Sequence, residues 1–183
     1  MGVEMSKKAT FIADTTKYDK VCIGNILLCP VGLPRSGKST WARELGVPIV
    51  CPDAIRYALT GKRWFAPIEH QVWATARTMA RALFFAGHKV VVLDATNWTR
   101  KSRDNFRPTP DCDWTREFVW FHASAELCKA RARITYPDLV EVIDRFAEVG
   151  CDDVHPEEEG QFVMRAYVKQ LCEEELERMK CSS

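Results

Sequence analysis

Four things are missing from this sequence, and each absence removes a class of function. It has almost no net charge, no apolar run of bilayer length, no internal repeat, and no cysteine pair at metal-binding spacing. Twenty-six Lys and Arg stand against 25 Asp and Glu, a formal charge of +1. Any polyanion would therefore meet a local patch rather than a uniformly basic coat. No stretch approaches the roughly 20 apolar residues of a membrane-spanning helix, and the opening MGVEMSKKATFIADTTKYDK carries no signal-peptide core. Eight cysteines are present (Cys22, Cys29, Cys51, Cys112, Cys128, Cys151, Cys172 and Cys181), but none forms CxxC. Several fall in predicted strands or helices, where a free thiol behaves as a small apolar side chain. Read as reduced thiols, they point to a cytoplasmic protein. What is present is a chain of 183 residues, 46% hydrophobic, enough for one sizeable core.

The apolar pattern alternates between short buried strands and helices. ILLCPV (26–31) is a continuous apolar run, and a helix from Gly37 to Leu45 stops at Gly46. VPIVC reads as a second strand, and Asp53 stands where a helix N-cap belongs. Pro67 opens a helix of about twenty residues with Val72, Ala76, Met79 and Leu83 on one face, closed by Gly87. KVVVLDAT is the strongest strand, TRKSRDNF a short exposed helix, RPTPDCD a loop and EFVWFHA a further strand. Ser124 caps a helix over 125–133 that runs into RARIT, Asp138 starts another ending near Gly150, and 164–180 is helical. QFVMRAYV is either an edge strand or the start of that last helix. Strands separated by helices predict an α/β fold. Its expected form is three layers, with a central parallel sheet of about four or five strands, helices on both faces and an arginine-bearing lid. Residues 1–24 read as an N-terminal extension and 25–183 as the domain. Ligands of such sheets bind beyond the carboxyl ends of the strands.

Gly32 to Ser39, GLPRSGKS, matches GxxxxGKS in full, between an apolar strand and a helix. Backbone N–H groups in such a loop turn inward around phosphate oxygens, and the helix N-terminus adds partial positive charge. Gly32, Ser36, Gly37, Lys38, Ser39 and Thr40 are the expected ATP-binding residues. Lys38 would reach the β and γ phosphates, and the Ser39 hydroxyl would sit on Mg²⁺.

A hydroxyl acceptor needs a carboxylate near the strand ends and cations for the transferred group. Asp53 and Arg56, in CPDAIR, are three apart on one side of a helical turn. Asp53 could take the hydroxyl proton and Arg56 grip a substrate phosphate; alternatively Asp53 only caps the helix. In DATN (94–97), Asp94 would join the Mg²⁺ shell or orient Ser39, with Thr96 and Asn97 on phosphates, or the segment is a simple cap. Arg131 and Arg133 would close over the triphosphate, since the guanidinium fork binds phosphate oxygens in pairs; a solvated helix face would read the same.

The order GLPRSGKSTWAREL, DAIR, DATNWTRKSR, the arginines at 131–133 and PEEEG (156–160) resembles the kinase domain of polynucleotide 5'-hydroxyl kinases. These are P-loop phosphotransferases of phage and bacterial nucleic-acid repair. The likeness covers about residues 25–162. It implies that Lys38 and Ser39 bind the ATP phosphates and Mg²⁺, that Asp53 is the general base, and that Arg56 contacts the acceptor phosphate. A lid arginine would stabilise the transferred group, with Arg133 preferred and Arg131 second. The family's lid arginines stand about four apart, whereas here that spacing joins Lys129 to Arg133. DCDWT (111–115) spells the DxDxT of the phosphatase often fused to these kinases, but no apolar strand leads into it.

Lys62, Arg63, Trp64 and Phe65 after DAIR, and Trp98, Arg100, Lys101 and Arg103 after DATN, would offer charge and stacking surfaces to a nucleic-acid end, with Arg77 and Arg81 extending the track. His70 and His122 read as structural. The expectation is an ATP- and Mg²⁺-dependent kinase of 5'-hydroxyl ends of RNA or DNA. The alternatives are a P-loop kinase of a small metabolite, nucleoside or sugar, or a catalytically silent nucleotide-binding module.

Overall fold

A computed structural model describes residues 24–109, 114–152 and 160–181. The expected N-terminal strand ATFIAD, Cys22, Cys112, Asp111 to Asp113 of DCDWT and residues 156–159 of PEEEG lie outside these. In chain order the elements are β1 (Ile26–Val31), α1 (Lys38–Glu44), β2 (Ile49–Val50), α2 (Pro52–Thr60), a 3₁₀ turn (Ala66–Ile68) and α3 (Glu69–Phe85). They continue with β3 (Val90–Leu93), α4 (Arg100–Asp104), β4 (Thr115–Trp120), α5 (Ala125–Thr135), α6 (Leu139–Val149), β5 (Gly160–Phe162) and α7 (Arg165–Cys181).

The five strands lie in the order β2-β3-β1-β4-β5, and every neighbouring pair is parallel. β1 is the hub: Leu27 faces Val91 on one side and Arg116 on the other. Strand alternation divides the core in two. Leu27, Cys29 and Val31 pack with Val91, Leu93 and Phe118 against Val72, Ala76, Ala80 and Phe84 of α3. Ile26 and Leu28 pack with Val90, Val92 and Val119 against Ala42 of α1 and Val168, Leu171 and Cys172 of α7. A third cluster lies at the carboxyl edge, where Cys128 and Ala132 of α5 and Ile143 of α6 close over Leu33. The α/β expectation therefore stands, with helices on both faces of the sheet and a helical pair above the glycine-rich loop.

Four local expectations need correction. Asp53 is not the N-cap of α2: Cys51 holds that position, with Pro52 at the first helical residue. The buried line of α3 is Val72, Ala76, Ala80 and Phe84, a strict i,i+4 series, which leaves Met79 41% exposed and Leu83 only partly buried. The segment after DATN is helical but not exposed, because Arg103 and Phe106 are buried under α4. QFVMRAYV is both things at once: its first two residues end β5 and its last four open α7. Among the described cysteines no disulfide forms; Cys29, Cys128 and Cys172 are buried and Cys181 is exposed.

Candidate active site

β1 ends in the GLPRSGKS turn, whose shape follows from its sequence. Gly37 takes φ 103°, open to glycine at no steric cost, and Arg35 takes φ 66°. Gly32 is required for another reason: a Cβ there would stand 2.9 Å from Phe121 Cβ and 2.9 Å from Ser36 Oγ. Lys38, at the head of α1, is buried. Its ammonium donates to the carbonyls of Gly32 (2.8 Å) and Leu33 (2.6 Å) and to Ser36 Oγ (3.2 Å). Burial lowers its pKa from 10.5 to about 8, with Asp94 opposing that fall. Ser39 Oγ donates to Asp94 Oδ1 at 2.9 Å, and burial raises the Asp94 carboxyl, opposed by Ser39 and Lys38. A hydroxyl and a carboxylate side by side are hard oxygen donors. With nucleotide phosphates they suit Mg²⁺, which usually keeps few protein ligands. Thr40 follows on α1, exposed.

DATN divides by role. Asp94 faces the site, and Thr96 offers its carbonyl to the Gly32 N–H at 3.1 Å. Asn97 does not reach phosphate: it is 0% exposed, at φ 48°. Its amide donates to Pro30 O (3.0 Å), Leu93 O and Ala95 O, fastening the ends of β1 and β3 together. Its expected substrate contact is therefore replaced by a bracing one.

Asp53 sits in the first turn of α2 with its side chain 76% exposed. Arg56, one turn on, is buried, and donates to Asp53 Oδ1 (2.6 Å), to both oxygens of Glu69 (2.5 and 2.9 Å) and to Arg63 O (3.3 Å). Burial works against the Arg56 charge, but the bonds to Glu69 and Asp53 outweigh it and its pKa rises. Asp53 adds weakly to the field at both groups, favouring the charged form of Lys38 and opposing that of Asp94. Arg56, expected to grip a substrate phosphate, instead spends its donors on the chain and orients Asp53. Glu69 was not foreseen: alone in the sequence it reads as an ordinary first-turn acid of α3.

Ser124 caps α5, accepting from the Leu127 N–H at 3.2 Å. Arg131 Nη1 reaches the carbonyl of Arg35 in the phosphate loop at 3.1 Å. Arg133, two residues on and so about 200° around the helix, is exposed on another side. Lys129, its i−4 neighbour, is paired with Asp144 of α6 at 2.7 Å. Of the two, Arg131 is the one in contact with the phosphate loop. The two basic aromatic clusters also part. In the first, Trp64 is 64% exposed and covers Arg56, and Arg63 lies over Tyr136 (4.0 Å) and pairs with Asp138 (3.2 Å). In the second, Arg103 is 1% exposed and donates to Asn97 O and Trp98 O, while the Trp98 ring N–H donates to Phe146 O. Arg77 likewise binds the carbonyls of Asn105 and Arg107, so it ties α3 to the end of α4 rather than extending a phosphate track.

A family model described as an AAA domain matches residues 27–136, well over half of the chain, and the chain belongs to that family. No curated protein sequence matches it. Among solved structures, the chain is 27% identical to one described as the Pnkp1/Rnl/Hen1 complex, over 64% of this chain and 42% of that one, with a TM-score of 0.52. A sugar kinase from Janibacter sp. HTCC2649 is 18% identical over 85% of this chain and 91% of its own, TM-score 0.50. A protein described as APE1195 is 18% identical over 82% and 95%, TM-score 0.54. The fold is that of P-loop kinases, and it implies nucleotide binding.

Proposed function

We propose that the chain is an ATP- and Mg²⁺-dependent phosphotransferase that phosphorylates 5'-hydroxyl ends of RNA or DNA. The observation that carries this is Asp53: a solvent-facing carboxylate, oriented by buried Arg56, within electrostatic range of Lys38 and Asp94. In this reading the acceptor oxygen forms a bond to the γ phosphorus, the bond to the β–γ bridging oxygen breaks, and ADP leaves. Asp53 takes the hydroxyl proton as that charge develops. Lys38 moves from the loop carbonyls onto the phosphates, and Arg131, already on the loop, stabilises the transferred group, with Arg133 second. Ser39 and Asp94 would hold Mg²⁺, which supplies positive charge against the phosphate oxygens. A polynucleotide acceptor is supported by the exposed indole of Trp64 beside Asp53's partner and by the likeness to the Pnkp1 complex. That likeness covers under half of the other chain.

A small-metabolite acceptor is the second reading, favoured by one observation: Arg56 is bound within the chain and Arg103 is buried, so the mouth is less basic than the sequence suggests. The test is transfer of labelled γ phosphate from Mg-ATP to a single-stranded oligonucleotide bearing a 5'-hydroxyl, beside its 5'-phosphorylated twin. Transfer to the hydroxyl end alone, lost in Lys38→Ala, is expected. ATP binding without transfer to the oligonucleotide turns the reading to the small acceptor, or to the silent module if no acceptor is found.

A further inference from the structure

Two helices of the same length, α3 and α7, cover opposite faces of the sheet, and their outer surfaces differ in kind. The exposed positions of α7 include Lys169, Glu173, Glu174, Glu177, Arg178 and Lys180, as a helix that meets only water should have. On α3 no exposed residue is Asp, Glu, Lys or Arg. Its charged residues, Glu69, Arg77 and Arg81, are half-buried, and the first two are bonded to neighbouring segments. What faces solvent is Ala74, Thr75, Thr78, Met79, Ala82 and Phe85, with Phe85 82% and Met79 41% exposed. The Thr78 hydroxyl donates to Ala74 O at 3.0 Å, so its polar group is spent within the helix. α2 packs beside α3 on the same face of the sheet and adds Tyr57 and Leu59, both more than half exposed. An apolar strip of this length, open among the described residues, marks an interaction surface.

We propose that α3 is a homodimer interface, its outer face laid antiparallel on α3 of a second copy about a two-fold axis at Thr78. The face offers no charge for a charged partner to match, and a formal charge of +1 sets up little long-range repulsion between copies. The helix also matches itself about Thr78. Four residues to either side stand Ala74 and Ala82, small enough for two helices to approach closely. Seven to either side stand Gln71 and Phe85, so each Phe85 ring falls on the second copy's Gln71 rather than on its own image. The helix is about 25 Å long, and with Tyr57 and Leu59 beside it the strip approaches the roughly 800 Å² per partner of a stable interface. α3 alone falls short of that, so the association should be of micromolar strength. This inference is independent of the acceptor.

The test is sedimentation equilibrium of the full chain across a concentration series. The parent should move from 20.9 kDa toward twice that mass as the concentration rises through the micromolar range. Thr78→Arg sets two like charges against each other at the axis and should raise the dissociation constant at least roughly a hundredfold; Thr78→Glu should do the same. Mixed in equal amounts, the two variants should dimerise again, because only the mixed pair brings opposite charges together. Thr78 is exposed, so thermal melts of both variants should match the parent monomer. Lys169→Glu, on the outer face of α7, should leave the mass curve unchanged. A parent that stays at 20.9 kDa at every concentration, as it would if another part of the chain lay on α3, overturns the proposal. A dimer that Thr78→Arg leaves intact overturns it too, and two variants that each dissociate but fail to pair overturn the axis at Thr78.

Discussion

The donor side and the acceptor side of the site are built differently. Lys38 finds its three partners two to six residues away, within one loop. On the acceptor side, Arg56 meets Glu69 thirteen residues on and Arg63 meets Asp138 at a separation of 75. A lysine held by its own loop can be carried from one acceptor chemistry to another unchanged, needing from elsewhere in the chain the carboxylate of Asp94, 55 residues from Ser39. An acceptor site made of distant contacts is specific to the chain that folds it.

If that division is real, Asp53→Asn should separate the two sides most sharply. Transfer should fall on the order of 10³-fold, while ATP affinity, measured by calorimetry, stays within about twofold. An equal loss of both would merge the two sides into one unit. Lys38→Met examines the donor side alone. Transfer should fall on the order of 10²-fold or more, and stability should respond to pH in a set direction. Folded Lys38 holds its proton only to about 8, against an ordinary 10.5. Between those values the unfolded chain binds more proton, so this residue makes stability rise with pH, and its penalty is complete below about 8. Relative to the parent, the Met variant should therefore lose roughly 2–3 kcal/mol of its advantage between pH 7 and pH 10. The carbonyls it strands do not titrate and drop out of that difference. Denaturant melts at both pH values check it, and a pH-independent gap would contradict the buried charge.

Glu69→Gln breaks only the acceptor side. Removing one of the two carboxylates that pair the buried Arg56 should cost about 2 kcal/mol of stability and lower transfer roughly tenfold through a wandering Asp53, with nucleotide affinity unchanged. Asp53 itself being untouched, a change in nucleotide affinity instead would show that α2 also supports the phosphate loop. Ser124→Ala is the mildest: loss of the α5 cap should cost about 1 kcal/mol, seen in a thermal melt, with little change in transfer.

The same division explains what the sequence disclosed. GxxxxGKS after an apolar run fixes its own conformation, so the strand, the loop, Lys38, Ser39 and the facing Asp94 were legible. Asp53 was found as a residue, yet misplaced as a cap, because Pro52 occupies the first helical position and moves the boundary back to Cys51. Arg56 and Asn97 were legible as polar residues at the right edge, but their partners, Glu69 and the Pro30 carbonyl, are set by how α3 and β1 pack. Arg103 has the composition of a surface helix. Its burial follows from the neighbouring strand, where Arg116 donates to the Arg103 carbonyl at 2.8 Å and both guanidinium groups lie against Phe118. No periodicity in eight residues carries that information.

Helix α7 starts at the carboxyl edge of the sheet, where Arg165 lies 3.8 Å over Phe121. It finishes at the opposite edge, where Glu175 accepts from the Lys89 N–H at 2.6 Å and Arg178 bonds Gly87 O. Cys181, at its end, is exposed, unlike buried Cys29, Cys128 and Cys172. With Cys22, Cys51, Cys112 and Cys151 replaced by serine, thiol coupling at Cys181 would tether the molecule by its floor. The mouth would then face a flow cell, and single turnovers could be watched on immobilised molecules.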